Sequence, residues 1–369
     1  MVMLTLWLPH LNSVKPFLPD MPLEGSYDKA ARPEFTSETW FEGTFQSNAE
    51  KWLNENFSTR DLLIRLRNQY YYSVFRIAMA NGVAIGKEGV LFEQGYIDAF
   101  YGKDFAGEEF LSDKLTRWKR VEKGLDSIGV KAFLALAPGK ASYFEDSFSE
   151  RIKDYHRPLT NYQFIEQHCN VHGIRCLDLK KLFHLWNDTS QYPLFPKYGT
   201  HWSFYGAAHA IDTVRGYIQH MTNRRLPEFS FDIEMSDEAR DTDNDIGRGM
   251  NLLFIPKKER LAYPIRYFSV DSTLEPTKLL VIADSYYYTF ITSGFADRVV
   301  SYGGFWFYFK VAEPHHMFSS SVVEELNILE ELKKQDAVML MMTEPQLGRF
   351  GWGAVEKLEE VLYPKSENP

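Results

Sequence analysis

Helix-spaced and strand-like apolar runs alternate through most of the chain. Between Glu50 and Ala80, Trp52, Leu53, Phe57, Leu62, Leu63, Leu66, Tyr70, Val74 and Ile77 recur at helical spacing, with Ser58 or Thr59 placed to cap. Val83-Ala84-Ile85 and Val90-Leu91-Phe92 flank Gly86-Lys87-Glu88-Gly89, the pattern of a hairpin. Leu111, Leu115, Trp118, Leu125 and Ile128 mark a helix that ends at Gly129, and Lys131 to Ala137 then reads as a buried strand stopped by Pro138-Gly139-Lys140. A helix over 161–171 turns at Gly173 into a strand over 174–177, and Ala207, Ala208, Ile211, Val214 and Ile218 line another helix. Leu279 to Ala283 predicts a second buried strand running into a helix over 286–291. Arg298 to Tyr302 follows as a strand, 322–334 as a helix, and 337–342 as a last buried strand. Helix then strand, repeated, implies right-handed crossovers and a parallel sheet.

Two stretches break this rhythm. Residues 1–36 begin with the apolar run Met1 to Leu8 and continue through Pro9, Pro16, Pro19, Pro22 and Pro33, which predicts an extended leader. The apolar start reads equally as a buried N-terminal segment or as the remnant of a membrane anchor. Between about 221 and 277 charge dominates, giving a polar insertion in a domain expected to run from 37 to 364. Within it, Asp241-Thr242-Asp243-Asn244-Asp245-Ile246-Gly247 imitates the start of a calcium loop. Its glycine is one place late and Leu252 stands at the twelfth position, so it reads as a solvated acidic loop.

Composition narrows the function. At 369 residues and 44% hydrophobic, the chain can bury a large core. A formal charge of -9 lacks the basic footprint that phosphate backbones require, so nucleic acid is not expected as a partner. Aromatic residues make up 15%, enough to fill the core with rings or to stack on sugars. Cys169 and Cys176 lie near His168 and His172, but no zinc spacing fits, and a local disulfide stays open. Neither metal nor cofactor is expected. No apolar run reaches the roughly eighteen residues that span a bilayer.

Candidate chemistry collects where strand 279–283 ends. Asp284-Ser285 leads into a helix, so Ser285 stands at the carboxyl edge of the sheet, where open α/β folds bind ligands. One reading makes Ser285 a nucleophile whose own N-H stabilises an oxyanion; the other makes Asp284 or Ser285 a helix cap. Among ten histidines, His201 lies in the Pro/Gly loop Phe195-Pro196-Lys197-Tyr198-Gly199-Thr200-His201-Trp202, directly before a helix. Trp202 beside it walls a sugar subsite or simply packs.

Taken in order, these blocks resemble a family. Ala283-Asp284-Ser285 is similar to the nucleophile block of the SGNH hydrolases. Gly199-Thr200-His201-Trp202 resembles the Asp-x-His-Trp block of their alginate O-acetyltransferase (AlgJ/AlgX-like) branch. The hairpin 85–92 and the Pro138-Gly139-Lys140 turn before Tyr143 match that branch in the same order, and so does a nucleophile that follows the histidine. The resemblance implies a three-layer α/β/α domain with a parallel sheet, preceded by a helical and hairpin region. It further implies an O-acetyltransferase that carries acetyl groups on Ser285, with His201 as general base. The donors to the oxyanion would be Ser285 and Gly303 or Gly304, and Trp202, Lys140, Tyr143, Tyr286 and Trp306 would bind substrate. Expected partners are an acetyl donor, a polysaccharide acceptor outside the cytoplasm and a membrane-bound O-acyltransferase. One departure stands out: the family's triad Asp falls at Gly199, which leaves Asp245 or Glu344 as replacement acids. An acetylesterase and a glycan-binding scaffold with a decayed site are the alternative readings.

Overall fold

The computed structural model describes residues 2–25, 29–254, 258–269, 274–275, 277–313 and 321–364. Met1 and, in the expected polar insertion, residues 255–257, 270–273 and 276 lie outside them. The chain forms two compact units, one of residues 1–85 with 245–257, the other of 86–244 with 258–369. A first break was expected near residue 36; the units part after Ile85.

In the first unit, Val2–Val14 is a helix that continues through Pro9, where an extended leader was expected. The chain then runs extended to helices Ser37–Phe41, Thr44–Asn56 and Arg60–Tyr70 and strand β1 (Val83–Ile85). Side chains, not a ladder, satisfy the extended backbone. Arg65 Nε donates to the Met21 carbonyl (3.1 Å) and one Arg65 terminal nitrogen to that of Leu252 (2.9 Å). Asn251 Oδ1 accepts from Glu24 N at 2.7 Å, and Asn68 Nδ2 donates to the Met250 carbonyl at 3.0 Å. Ser58 spends its hydroxyl on the Pro9 carbonyl, and Thr59 makes no side-chain cap.

The second unit is built on a seven-stranded sheet. Its strands, after β2 (Leu91–Glu93), are β3 (Lys131–Ala137), β4 (Cys176–Asp178), β7 (Lys278–Ala283), β8 (Ser301–Phe307), β9 (Val311–Glu313), β10 (Ser321–Val322) and β11 (Ala337–Thr343). The remaining two, β5 (Phe229–Ser236) and β6 (Leu261–Phe268), form a separate antiparallel hairpin. Sheet order is β10-β9-β8-β7-β11-β3-β4, parallel from β8 to β4 and antiparallel at the β9 and β10 edge. The last parallel strand, β11, inserts between β7 and β3, so the three most apolar segments lie side by side. Being covered on both faces, they read as continuous hydrophobic runs.

Alternation along these strands divides the core. Leu134, Leu136, Leu280, Ile282, Leu340 and Met342 face the layer made by helices Glu108–Ser127, Asn161–Val171, Ile328–Lys333 and Ala354–Leu362. On the other face Phe133 meets Tyr217 of helix Phe204–Thr222, ring centroids 5.0 Å apart. The expected layered α/β domain with a parallel sheet is therefore present. Its details differ in three places. The expected helix 322–334 shrinks to Ile328–Lys333, because Asn327 caps it by accepting from Glu330 N. The strand expected at 298–302 lies at 301–307. Much of the "polar insertion" is the β5–β6 hairpin. Cys169 and Cys176 are free thiols, and their mutual contact together with burial raises the Cys176 pKa.

Burial raises the Asp104 carboxyl to about 6, and its Oδ1 has no hydrogen-bond partner among the described residues. A raised carboxyl favours the folded state fully below its unfolded value, and that contribution is lost as pH climbs through about 6. Asp104→Asn is therefore expected to raise Tm by roughly 2 °C at about pH 7.5, or about 1 kcal/mol after allowing for solvent screening, and to give no advantage near pH 4. Thermal melts across that range check the sign.

Candidate active site

Three parallel strands end side by side, and their ends are tied by buried carboxylates. Asp284, just past β7, accepts from Thr343 N (2.8 Å) and Thr343 Oγ1 (2.7 Å) at the end of β11, and from Tyr286 N (3.1 Å). Burial pushes its pKa up, and these hydrogen bonds pull it down. Asp284 thus shapes the turn and fixes β7 to β11, as its place before the serine suggested. Glu344 carries the tie onward. Its Oε1 accepts from Gly139 N at 2.7 Å, and its Oε2 from Ser142 Oγ and Lys180 Nζ, each at 2.7 Å.

The expected role of Glu344 as triad acid therefore needs correction. Both of its oxygens serve the β3 and β4 ends, bracing the edge of the sheet. Asp245 lies in the other compact unit, at the start of helix Asp245–Gly249, where its Oδ1 accepts from Ile246 N.

Ser285 and His201 do come together. His201 Nε2 lies 2.9 Å from Ser285 Oγ, although 84 positions separate them. The histidine loop is held by groups expected to bind substrate. Lys140 is buried and donates from Nζ to the carbonyls of Lys197 (2.8 Å) and Gly199 (2.7 Å). Tyr286, also buried, donates from its hydroxyl to the Thr200 carbonyl at 2.9 Å and lays its ring 4.7 Å from the His201 ring. Trp202 is fully buried, 5.0 to 5.7 Å from Tyr286, Phe290 and Phe183, so it packs and walls no open subsite. Ser203 ends the loop by accepting from Gly206 N as a helix cap and donating to the Pro193 carbonyl.

Trp306, paired with Ile282 in the sheet, is buried in the core. Gly303 and Gly304 lie beside the start of β7, with Leu280 opposite Gly304 and Gly303 unpaired in the register. Ser285 is five residues further on, roughly 16 Å at 3.3 Å per residue, so neither glycine reaches an oxyanion there. Gly303 sits at a bulge, where a Cβ would run into Gln335 and lie 2.7 Å from the Leu279 carbonyl carbon. Tyr143 alone keeps an open face. It lines a cavity of about 460 Å³ with Ser142, Tyr162, Lys180, Phe183 and His184, and its hydroxyl accepts from Leu194 N. Among the described residues no cluster of His, Cys, Asp and Glu is arranged to hold a metal ion.

The residue missed from sequence is Tyr308. It follows β8, donates its N-H to the Ala283 carbonyl at 2.9 Å, and brings its hydroxyl within hydrogen-bonding reach of Ser285. Only strand register could have located it, since Phe307 pairs with Ala283.

Gly199 is explained by space. A Cβ at 199 would overlap the Thr242 carbonyl oxygen and stand 2.8 Å from the carbonyl carbon and 2.9 Å from the Cα of Asp243. Backbone of the acidic run occupies the place where the family carries its Asp. Restoring that residue with Gly199→Asp is thus expected to cost more than about 2 kcal/mol in urea melts and to lower activity.

Residues 83–252 match the family model of the SGNH hydrolase-like domain of the acetyltransferase AlgX. Among solved structures, the O-acetyltransferase domain of Pseudomonas putida AlgJ is 16% identical with a TM-score of 0.49, covering 76% of this chain and 99% of that one. Pseudomonas aeruginosa AlgX is 11% identical with a TM-score of 0.47, covering 78% of this chain and 69% of that one. Bacillus cereus PatB1 is 10% identical with a TM-score of 0.39, covering 65% and 91%. No curated protein matches the sequence at a significant level.

Proposed function

We propose, for a chain whose residues 83–252 form an SGNH hydrolase-like domain of the AlgX acetyltransferase family, that it transfers acetyl groups to hydroxyls of a polysaccharide outside the cytoplasm. The observation that carries this reading is the 2.9 Å contact between His201 Nε2 and Ser285 Oγ at the carboxyl edge of a parallel sheet. In the first half-reaction Ser285 Oγ attacks the acetyl carbonyl while His201 takes its proton, then returns it to the departing donor. The acetyl group now rests on Ser285. In the second half an acceptor hydroxyl gives its proton to His201 and attacks the acetyl-serine, which releases Ser285 and the acetylated sugar.

The dyad also needs a carboxylate to set the imidazole tautomer. Because the backbone of Thr242 and Asp243 fills the space beside Gly199, the acidic run beginning at Asp241 is its source in this reading. Asp243, buried and in the same compact unit as His201, is that carboxylate in this reading, and Asp243→Asn is expected to lower kcat by about 100-fold or more. Full activity in Asp243→Asn would show that the dyad works without it.

Acetyl transfer and acetyl hydrolysis share the acyl-enzyme and differ in what takes the acyl group, so the acceptor decides between them. With a chromogenic acetyl ester, Ser285→Ala and His201→Ala are each expected to cut turnover by at least about 1,000-fold. Adding soluble oligosaccharides should then divert acetyl from water to sugar, read as an acetylated product by mass spectrometry. Activity surviving in Ser285→Ala would leave a glycan-binding scaffold as the better description. A membrane-bound O-acyltransferase that supplies acetyl groups belongs to the same reading, supported by the family alone. No helix among the described residues is long and apolar enough to cross a membrane.

A further inference from the structure

With Gly303 and Gly304 removed from the site, the acetyl carbonyl oxygen needs another donor beyond the Ser285 N-H. We propose that the Tyr308 hydroxyl is that donor, and that it is a catalytic residue. The inference rests on the Ser285 reading above and adds to it.

Three observations converge. The β7–β8 register puts Phe307 beside Ala283, so the residue following each strand lies at the same carboxyl edge, and Tyr308 is pinned there by its N-H bond to the Ala283 carbonyl. Tyr308 and the next residue, Phe309, both adopt left-handed backbone, with φ of 50° and 53°. They are the two central residues of the tight turn Phe307–Lys310 that joins β8 to β9, closed by Lys310 N donating to the Phe307 carbonyl at 3.0 Å, and hairpin turns of this kind take positive φ at both places. The turn leaves the phenol at the β7 end, where its hydroxyl comes within hydrogen-bonding reach of Ser285. Finally, the ring is held on two sides, 4.4 Å from Phe307 and edge-on to Trp352 at 5.2 Å, and Trp352 itself has φ of 55°.

The phenol is suited to donate. Burial first, and the Asp284 charge second, raise its pKa above the usual tyrosine value, so at neutral pH it keeps its proton. As Ser285 Oγ bonds to the carbonyl carbon, the carbonyl π pair moves onto oxygen, and the Oγ proton passes to His201. Tyr308 gives a hydrogen bond to that oxygen without transferring its proton. When the pair folds back to reform C=O, the leaving alkoxide departs with the proton from His201. The same donation recurs when an acceptor hydroxyl attacks the acetyl-serine. A donor aimed at charge that develops only in the transition state lowers the barrier without tightening substrate binding.

Tyr308→Phe keeps the ring against Trp352 and removes only the O-H. With para-nitrophenyl acetate and the full chain, kcat is expected to fall by about 100-fold while KM changes by less than about twofold and Tm stays within about 2 °C. Methylboronic acid supplies a second readout, because its tetrahedral adduct on Ser285 carries an oxygen in the carbonyl position. Its binding should weaken by a similar factor in Tyr308→Phe, which a packing role would not cause. If Ser285→Ala is inactive while Tyr308→Phe retains kcat and boronate affinity within about twofold, the tyrosine assignment is overturned and the Ser285 reading stands. If Ser285→Ala retains the wild-type rate, the nucleophile reading itself fails.

Discussion

A buried ammonium group makes the rest of this site possible. Lys140 leaves the end of β3 and spends its protons on the carbonyls of Lys197 and Gly199, two residues apart in a loop with no secondary structure of its own. Unpaired carbonyls in a buried loop are costly, and a buried charge is costlier still. Each need answers the other, so the loop has one low-energy course past the sheet edge. Tyr286, from the helix that follows Ser285, closes the next carbonyl at Thr200. The nucleophile's own helix therefore holds the loop that carries its base, and the separation of 84 positions between Ser285 and His201 becomes a fixed short contact.

The same economy explains why Glu344, expected as a catalytic acid, is structural, as Asp284 is. In a parallel sheet the last backbone N-H groups at the carboxyl edge have no neighbour to accept them, and Asp284 and Glu344 supply oxygens there. Removing either would expose several buried donors at once and let neighbouring strand ends separate. A carboxylate so occupied has little left to offer an imidazole. This is the physical ground for looking to the acidic run beside Gly199 for the orienting group.

Much of the fold was legible because strands covered on both faces write themselves as unbroken apolar runs, as in Phe133 to Ala137, Leu279 to Ala283 and Ala337 to Met342. Ser285 and His201 were legible because they stand in loops that those runs and the next helices bound. What escaped was context. Phe229, Phe231, Ile233 and Met235 alternate with Ser230, Asp232 and Glu234, a two-residue period that predicts β5, but the surrounding charge masked it. Lys140, Trp202, Tyr286 and Trp306 resembled ligand contacts by residue type, and only packing shows that they are interior. Gly303 and Gly304 looked like an oxyanion loop, yet they sit at the wrong end of their strand. A register shift between Leu279 and Leu280 cannot be read from one sequence.

Strain is distributed in a way that the sequence alone does not show. Tyr308, Phe309 and Trp352 all hold left-handed backbone, and Tyr308 and Trp352 touch each other at the carboxyl edge. Tyr308 and Phe309 owe that backbone to the tight turn from β8 to β9, which needs positive φ at both places and is usually filled by Asn or Gly, so each bulky residue there costs on the order of 1 kcal/mol. A glycine in any of these places would relieve the backbone. It would also delete an aromatic ring at that edge. The fold accepts the local cost because β3, β7 and β11 leave little of their surface unburied, and stability gathered in the sheet holds its edge in a shape the edge would not adopt by itself.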